Sequence, residues 1–255
     1  ILKDVKKDKL YKFLREMEFN RLLSQAISFY GESNDNVKKN NFKQKNMNFD
    51  IKNYECIVDE KNLDKWVKIL NEQSIISVDT ETSSLNPLDT ELMGVSFSYA
   101  ANKACYIPLG HKNTKCLEKK LVLKKIKKIL EDPSIKKVGQ NIKFDFIVLK
   151  QNGIEVNSLE DTMLISYTLD AGSNRHNLDT LSEIHLNHKT ITYKELVGVG
   201  KKKLNFSDIN IDKATEYAAE DADVTLRLYN YLNKRLGNEK LNKIYEVFEK
   251  PMVNL

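Results

Sequence analysis

The chain has 255 residues, 41% of them hydrophobic, which is enough for one core of ordinary size with a small appendage. It contains no run of about 18 apolar residues and no apolar stretch of the secretion-signal type at its N-terminus, which excludes a membrane span and a secretion signal. The net charge is +5, but residues 1–48 carry 11 of the 41 basic and 6 of the 36 acidic residues, so residues 49–255 are neutral and exclude binding of nucleic acid by bulk charge alone.

The first 48 residues are predicted to be an appendage to the body of the protein. Apolar residues recur at helical spacing within residues 3–30, which predicts helix. Residues 31–48 are rich in Asn and Lys and nearly free of apolar side chains, which predicts a mobile linker. Because the chain begins with Ile rather than Met, we expect it to be a fragment of a longer protein.

The body, residues 49–255, alternates strand and helix patterns. Strands are predicted within residues 54–60, 74–83, 91–100, 103–110 and 136–141. Helices are predicted at residues 62–70, 116–132, 142–153, 160–170, 177–187, 212–237 and 239–250, with Asp212 opening and Gly237 closing the longest. Hairpin strands followed by strand and helix in alternation predict an α/β fold, a mixed sheet with helices packed on it.

Two carboxylates lie at the end of the apolar strand predicted at residues 74–83. Successive side chains of a strand point to opposite faces, so Asp79 and Glu81 share one face while Ile76 and Val78 share the other. The pattern therefore predicts a pair of acidic groups projecting from one side of the sheet.

Two further acidic residues lie on or beside apolar faces of predicted helices. Asp145 lies beside an apolar stripe, and Asp221 occupies a core-facing position of the long helix, four residues after Tyr217 on the same face. Their neighbours Glu220 and Asp223 are expected to face solvent.

Ionised carboxylates on buried faces are costly unless they are paired, and only Lys143 and Arg175 are candidate cations near these segments. Oxygen ligands of this type suit Mg²⁺ or Mn²⁺ rather than zinc. Two such ions about 3.5–4 Å apart are the usual apparatus for attack on a phosphodiester. The four carboxylates therefore predict a metal-dependent phosphodiesterase, in which the Tyr217 hydroxyl could orient the attacking water.

Other patterns favour less specific interpretations. His185 and His188 share a helix face, but no third ligand has matching spacing, so packing histidines are favoured over a zinc site. The three cysteines form no CxxC pair, which argues against a disulfide framework and favours a reducing cytoplasm. Asp79 and Glu81 alone would more often be solvated; carboxylates in three segments together favour a site.

Three segments resemble the exonuclease motifs of the 3′–5′ proofreading domain of bacterial DNA polymerase I, a family A polymerase. They are VDTETSSL at residues 78–85, VGQNIKFD at 138–145 and YAAEDADVT at 217–225. The likeness extends over roughly residues 54–255, and its Tyr-x-x-x-Asp pattern is that of the DEDDy subclass. It implies a ribonuclease H-like fold, with a mixed, mostly five-stranded sheet flanked by helices.

The resemblance also implies a role for each matching residue. It implies that the metal-binding and catalytic carboxylates are Asp79, Glu81, Asp145 and Asp221, and that Tyr217 positions the nucleophilic water. It implies that the substrate strand is contacted by Leu85, Gln140, Asn141, Arg175 and Tyr193. In that family Leu85 would wedge against the terminal base and Tyr193 would contact the 3′ end. Since every carboxylate is present, an active domain is predicted.

The expected function is a 3′–5′ exonuclease that uses two divalent cations, Mg²⁺ or Mn²⁺, to remove nucleotides from single-stranded or frayed DNA. Residues 1–30 resemble the end of a preceding 5′-nuclease region, and the expected partner is a polymerase domain of the same parent chain. The protein is expected to be a cytoplasmic monomer. Two alternatives remain: an RNA exonuclease of the ribonuclease D type, and an inactive module that only binds or positions a partner.

Overall fold

The computed structural model of the chain divides into two compact units, Ile1–Gln44 and Lys45–Leu255. The residues that the structure describes are 5–17, 19–31, 49–200 and 204–254. Within these ranges no helix is both long enough and apolar enough to cross a membrane. Apart from Gly31, the predicted linker lies outside the described residues, so its mobility and the boundary at residue 48 stay predictions.

The first unit contains two helices, α1 (Lys7–Glu16) and α2 (Asn20–Tyr30), where the sequence pattern predicted helix throughout. The buried Tyr11 joins them, because its hydroxyl donates hydrogen bonds to the carbonyl oxygens of Gly31 at 2.6 Å and Ala26 at 3.2 Å. The pair is thus a small helical hairpin.

The second unit is an α/β domain built on a single sheet. Its strands are β1 (Glu55–Cys56), β2 (Ile75–Thr82), β3 (Leu92–Ala100), β4 (Lys103–Pro108), β5 (Lys136–Gly139) and β6 (Leu159–Asp161). Its helices are α3 (Glu60–Asn71), α4 (Lys119–Glu131), α5 (Ile142–Gln151), α6 (Thr162–Asp170), α7 (Leu178–Leu181), α8 (Tyr193–Val197), α9 (Ile211–Asn238) and α10 (Asn242–Ile244).

The sheet is mixed and has the strand order β1-β4-β3-β2-β5-β6. Strands β2, β3 and β4 are antiparallel neighbours, whereas β2, β5 and β6 run parallel, as do β1 and β4. The predicted α/β class is confirmed, with six strands rather than five. One of the six is the two-residue edge strand β1, and β6 occupies the start of a segment that the sequence pattern predicted as helix only.

One face of the sheet carries the main apolar core. Helices α3, α4 and α5 pack there against side chains of the central strands. The core residues from the strands include Ile76, Val78, Val95 and Phe97, and those from the helices include Leu63, Trp66, Ile126, Ile129 and Val148. Each such buried side chain contributes roughly 1.5–3 kcal/mol relative to leaving it exposed.

The other face carries small residues in β2 and β3 where α9 covers it. Ser77 pairs with Ser98 in the β2–β3 register, and both are buried together with Ser96. The facing positions of α9 include Ala218 and Ala222, and the Ser77 hydroxyl donates to the Ala222 carbonyl oxygen at 2.7 Å. Since no bulky side chain intervenes at these positions, the long helix lies close to the sheet beside Asp79 and Glu81.

The ends of α9 differ from their predicted positions. The N-terminal cap of α9 is Asn210, whose side-chain oxygen accepts hydrogen bonds from the backbone N–H groups of Asp212 and Lys213. Asp212 is therefore not the cap. The helix continues through Gly237 to Asn238, because Gly237 keeps a helical conformation. The predicted helix at 239–250 is also divided, into α10 followed by π- and 3₁₀-helical turns.

Candidate active site

The end of β2 projects two carboxylates toward α9. Asp79 pairs with Ser96 of β3 and Glu81 with Gly94, so the two acidic side chains share the small-residue face of the sheet. The register shifts immediately after Glu81, which marks a β-bulge in β3. Bulges are common next to active sites, where they redirect a side chain.

Asp221 of α9 completes a cluster of three carboxylates. Ligand oxygens of Asp79, Glu81 and Asp221 all lie within 4.8 Å of one another. Glu81 is 7% exposed and Asp221 9% exposed, whereas Asp79 is half-buried, so the cluster keeps a partial opening to solvent. The structure thus brings together three of the four predicted metal ligands in one place.

Asp145 reaches the same end of β2 from the first turn of α5. Its Oδ1 accepts hydrogen bonds from the backbone N–H of Thr80 at 2.9 Å and from the Thr80 hydroxyl at 2.5 Å. Asp145 is not part of the three-residue cluster, but it is close enough to interact with it. Its charge raises the pKa of Glu81, and the charge of Asp79 raises the pKa of Asp145. Asp145 is therefore a buried carboxylate beside the cluster, fixed through one of its two oxygens.

The environment of the four carboxyl groups favours their protonated form unless cations are bound. Burial raises the pKa of each carboxyl group well above its ordinary value, and repulsion from neighbouring carboxylates adds to it. For Asp79 the repelling group is Asp221, and for Asp145 it is Asp79. The hydrogen bonds that Thr80 donates lower the pKa of Asp145, but they offset the rise caused by burial and repulsion only in part.

No lysine or arginine of the described chain forms an ion pair with these four carboxylates. Lys143, one of the two candidate partners in the sequence, donates instead to the carbonyl oxygen of Met252 at 3.2 Å. Within the described ranges, no lysine or arginine therefore balances the acidic charge through an ion pair. Hard oxygen ligands with this net charge fit Mg²⁺ or Mn²⁺.

Two tyrosines flank the cluster on the α9 side. Tyr217 lies one helical turn before Asp221 on α9, and its pKa is raised well above the ordinary value by burial and by the charge of Asp221. Tyr193, at the start of α8, has its ring centroid 6.3 Å from that of Tyr217 and is 37% exposed. Phe206 packs against Tyr217 from another side, with 6.4 Å between ring centroids.

A buried tyrosine lies beneath Glu81, in a space that only glycine leaves open. A Cβ on Gly94, the register partner of Glu81, would come 2.2 Å from the Tyr106 hydroxyl oxygen and 2.3 Å from its ring. That hydroxyl is hydrogen-bonded to His111 Nε2 at 2.9 Å. The sequence pattern gave no indication of this support.

The polar residues predicted to line the substrate strand lie at the junction of β5 and α5. Both polar atoms of the Gln140 side chain are used within the protein: Nε2 donates to the His176 carbonyl oxygen, and Oε1 accepts from the Thr162 hydroxyl, each at 2.6 Å. Asn141 has a left-handed backbone (φ 56°, ψ 46°), and its N–H donates to Asp161 Oδ1 at 3.0 Å. Its side chain is exposed.

Leu85 and Arg175 lie on exposed segments. Leu85 is 91% exposed in the loop after β2, and Arg175 is exposed in the turn between α6 and α7. Among the described residues no hydrogen bond or ion pair joins Arg175 to the carboxylates. Their roles toward substrate stay predictions.

The expectation that Glu220 and Asp223 face solvent is wrong, since both are fully buried. Glu220 accepts from His188 Nε2 at 2.8 Å and from the Ile191 N–H at 2.7 Å. Asp223 accepts from the Arg227 guanidinium and from the Tyr54 hydroxyl, each at 2.8 Å. The alanine that directly precedes each acid, Ala219 or Ala222, was the available signal, because small apolar residues there favour a helix buried on more than one face.

The comparison with known families identifies the type of domain that carries the carboxylate cluster. The family model of DNA polymerase A 3′–5′ exonucleases matches residues 54–237, most of the chain. The chain belongs to this exonuclease family. The domain is therefore a nuclease of the hydrolase class, and the predicted resemblance is confirmed.

The similar proteins are much longer than this chain. DNA polymerase I of Rhizobium leguminosarum is 42% identical over 225 residues, which cover 80% of this chain and 22% of that polymerase. The chain thus spans about a fifth of that relative.

Solved structures share the fold at lower identity. NrnC of Brucella melitensis with bound Mg²⁺ has a TM-score of 0.56 and 22% identity, covering 79% of this chain and 88% of its own. RNase D of Trypanosoma brucei has a TM-score of 0.57 and 18% identity, covering 70% of this chain and 64% of its own. These neighbours confirm the ribonuclease H-like fold of the exonuclease domain.

Proposed function

We propose that this exonuclease domain removes nucleotides from the 3′ ends of single-stranded or frayed DNA with the help of two divalent cations. One observation carries the proposal: carboxylate oxygens of Asp79, Glu81 and Asp221 lie within 4.8 Å of one another without an ion-paired lysine or arginine among the described residues to balance them. Asp145 beside them would complete the ligand set. Cations held there would supply charge neutralisation and a lower pKa for the attacking water.

The protein's own residues then have distinct roles in this proposal. The four carboxylates would hold the cations, and Asp145 is kept in place by Thr80. The Tyr217 hydroxyl, on the same helix one turn before Asp221, would orient the attacking water on its way to the phosphorus. Leu85, Asn141, Arg175 and Tyr193 would hold the strand, whereas Gln140 would act by positioning His176 and its neighbour Arg175.

The parent protein and its surroundings also belong to the proposal. The likeness to DNA polymerase I supports a polymerase domain in the same parent chain as partner, and a frayed primer end as the natural substrate. A mismatched end costs less to unpair, which would direct the nuclease to errors. We propose that the protein works as a monomer in the reducing cytoplasm, where its three cysteines, free in the structure, stay as thiols.

Digestion of labelled oligonucleotides with Mg²⁺ tests this function. A 3′ label should be released at once as mononucleotide and a 5′ label should give a descending ladder, and EDTA should stop both. Asp79→Ala should abolish the reaction because a ligand is lost, whereas Asp212→Ala, an exposed acid on the same helix as Asp221, should leave it unchanged. Tyr217→Phe should be milder, since it removes only a hydroxyl.

The same experiment separates the alternatives. Faster digestion of a matched RNA strand would favour a ribonuclease D type of function, for which the fold likeness to RNase D is the supporting observation. Absence of digestion together with absence of Mn²⁺ binding by calorimetry would favour a module without catalysis. Full activity of Asp79→Ala, or activity in EDTA, would contradict the metal mechanism.

A further inference from the structure

The loop between β2 and β3 presents two leucines to solvent. Leu85 is 91% and Leu88 71% exposed, and they are the two most exposed leucines among the described residues. Single exposed apolar side chains are ordinary on a protein surface. These two lie on one short loop, which directly follows β2, the strand whose end carries Glu81.

The loop is ordered by its own polar groups and does not need the leucines for its shape. The N–H of Ser83 donates to the Glu91 carbonyl oxygen at 3.0 Å, and the Glu91 N–H donates to the Ser83 hydroxyl at 2.9 Å. The Ser84 N–H donates to the Thr90 hydroxyl at 2.9 Å, and the Ser84 hydroxyl donates to the Asp89 carbonyl oxygen at 3.0 Å. Folding of the loop therefore leaves the apolar side chains available for binding.

Leu88 is held on both sides of its backbone. Its N–H donates to Asn86 Oδ1 at 3.2 Å, and its carbonyl oxygen accepts from Gln151 Nε2, at the end of α5, at 3.1 Å. Pro87, which lies between Asn86 and Leu88, restricts the backbone of the loop. A side chain presented by a fixed backbone loses little conformational entropy when a ligand covers it, so Leu88 is prepared for contact.

We propose that Leu88 is a second apolar contact for the unpaired DNA strand, next to Leu85, so that the loop 83–90 holds two successive bases. The inference rests on the proposed function, because it takes the strand's 3′ end to lie at the carboxylates. Residues 83–90 contain Asp89 and no Lys or Arg, which suits the flat apolar face of a base rather than a backbone phosphate. Such contacts tolerate any sequence, as a proofreading nuclease requires.

Initial release of the 3′-terminal nucleotide measures the contact. With a single-stranded oligonucleotide and Mg²⁺, Leu88→Ala should raise KM roughly tenfold and leave kcat unchanged, as expected for loss of one base contact. With an oligonucleotide that lacks the base next to the terminal one, the wild-type KM should already be raised. On that substrate Leu88→Ala should then add nothing further.

Leu22→Ala, which truncates an exposed leucine of α2, is the matched control and should leave both KM values unchanged. An unchanged melting temperature of Leu88→Ala would exclude loss of folding as the cause. An unchanged KM in Leu88→Ala, or an equal rise on both substrates, would overturn the inference alone. Absence of any digestion by the wild type would remove the proposed function and this inference with it.

Discussion

Glu220 carries a charge into the interior of the domain one residue before Asp221. Both of its oxygens accept hydrogen bonds, from His188 and from the N–H of Ile191, and it has no exposed surface. Ile191 leads directly into α8, the helix that begins at Tyr193. The negative charge of Glu220 also raises the pKa of Asp221, and only burial contributes more to that shift. Glu220 is not one of the predicted metal ligands, but it thus affects the site in two ways: it holds the segment that leads to Tyr193, and it raises the pKa of Asp221.

Glu220→Gln should destabilise the domain by about 1–3 kcal/mol, because an amide NH₂ replaces an acceptor and leaves one buried partner unmatched. Urea unfolding would measure the loss. Glu216→Gln, on an exposed position of the same helix, should change the free energy of unfolding by about 0.5 kcal/mol or less. Equal stability of the two variants would show that the buried hydrogen bonds contribute nothing.

Single residues were predicted well where one face decides their environment. The alternation along β2 placed Asp79 and Glu81 on the same side correctly, and the structure has both beside Asp221. Glu220 was misassigned because a helical wheel allows one buried face, whereas α9 is covered on several. Thr80, the hydrogen-bond partner of Asp145, could not be found, since a sequence pattern does not show which strand end a helix N-terminus will meet.

At the scale of elements, the closeness of α9 to the sheet decides the geometry of the cluster. Small residues on the sheet, Ser77, Ser96 and Gly94, face a helix rich in alanine. The strand and helix patterns predicted both elements from their apolar periodicity. Their contact was not predictable, because serines and alanines carry almost no periodic signal and the strand order depends on long-range pairing.

Gly94→Ala tests this closeness at the position opposite Glu81. The added Cβ would overlap the buried ring of Tyr106, at 2.2 Å from its hydroxyl oxygen, so we expect a loss on the order of 3 kcal/mol. Gly237→Ala is the matched control, since a Cβ there meets only Asn242 Nδ2 at 3.9 Å. Better helix propensity should make the control neutral or up to about 1 kcal/mol more stable.

Chemical denaturation of both variants would measure the difference. A Gly94→Ala domain as stable as wild type would mean that Tyr106 can move aside, and that the glycine is not required for the position of β3 beside Glu81. In a Tyr106→Ala background, adding Gly94→Ala should cost less than it does in the wild type, because the ring with which the Cβ clashes is gone.

For the whole molecule, the stability of the exonuclease domain should depend on pH and metal together. The four carboxyl groups have pKa values raised well above the ordinary 3.8 of Asp and 4.5 of Glu, chiefly by burial. The folded domain therefore retains protons that the unfolded chain releases. Their contribution to stability is full below the ordinary values and is lost as pH rises through the raised ones.

In EDTA, raising the pH from about 5 to neutral should accordingly lower the melting temperature of the wild type more than that of Asp79→Asn. The variant carries one ionisable carboxyl group less in the cluster. At pH 7 without metal, the variant should be more stable by about 1 kcal/mol or more. Mg²⁺ or Mn²⁺ should reverse the order, because a cation binds the ionised carboxylates of the wild type and finds a ligand missing in the variant. Thermal unfolding by circular dichroism at several pH values would measure each step. Parallel curves for the two proteins in EDTA, or an equal response to the ions, would mean that the cluster is neither strained nor a metal site.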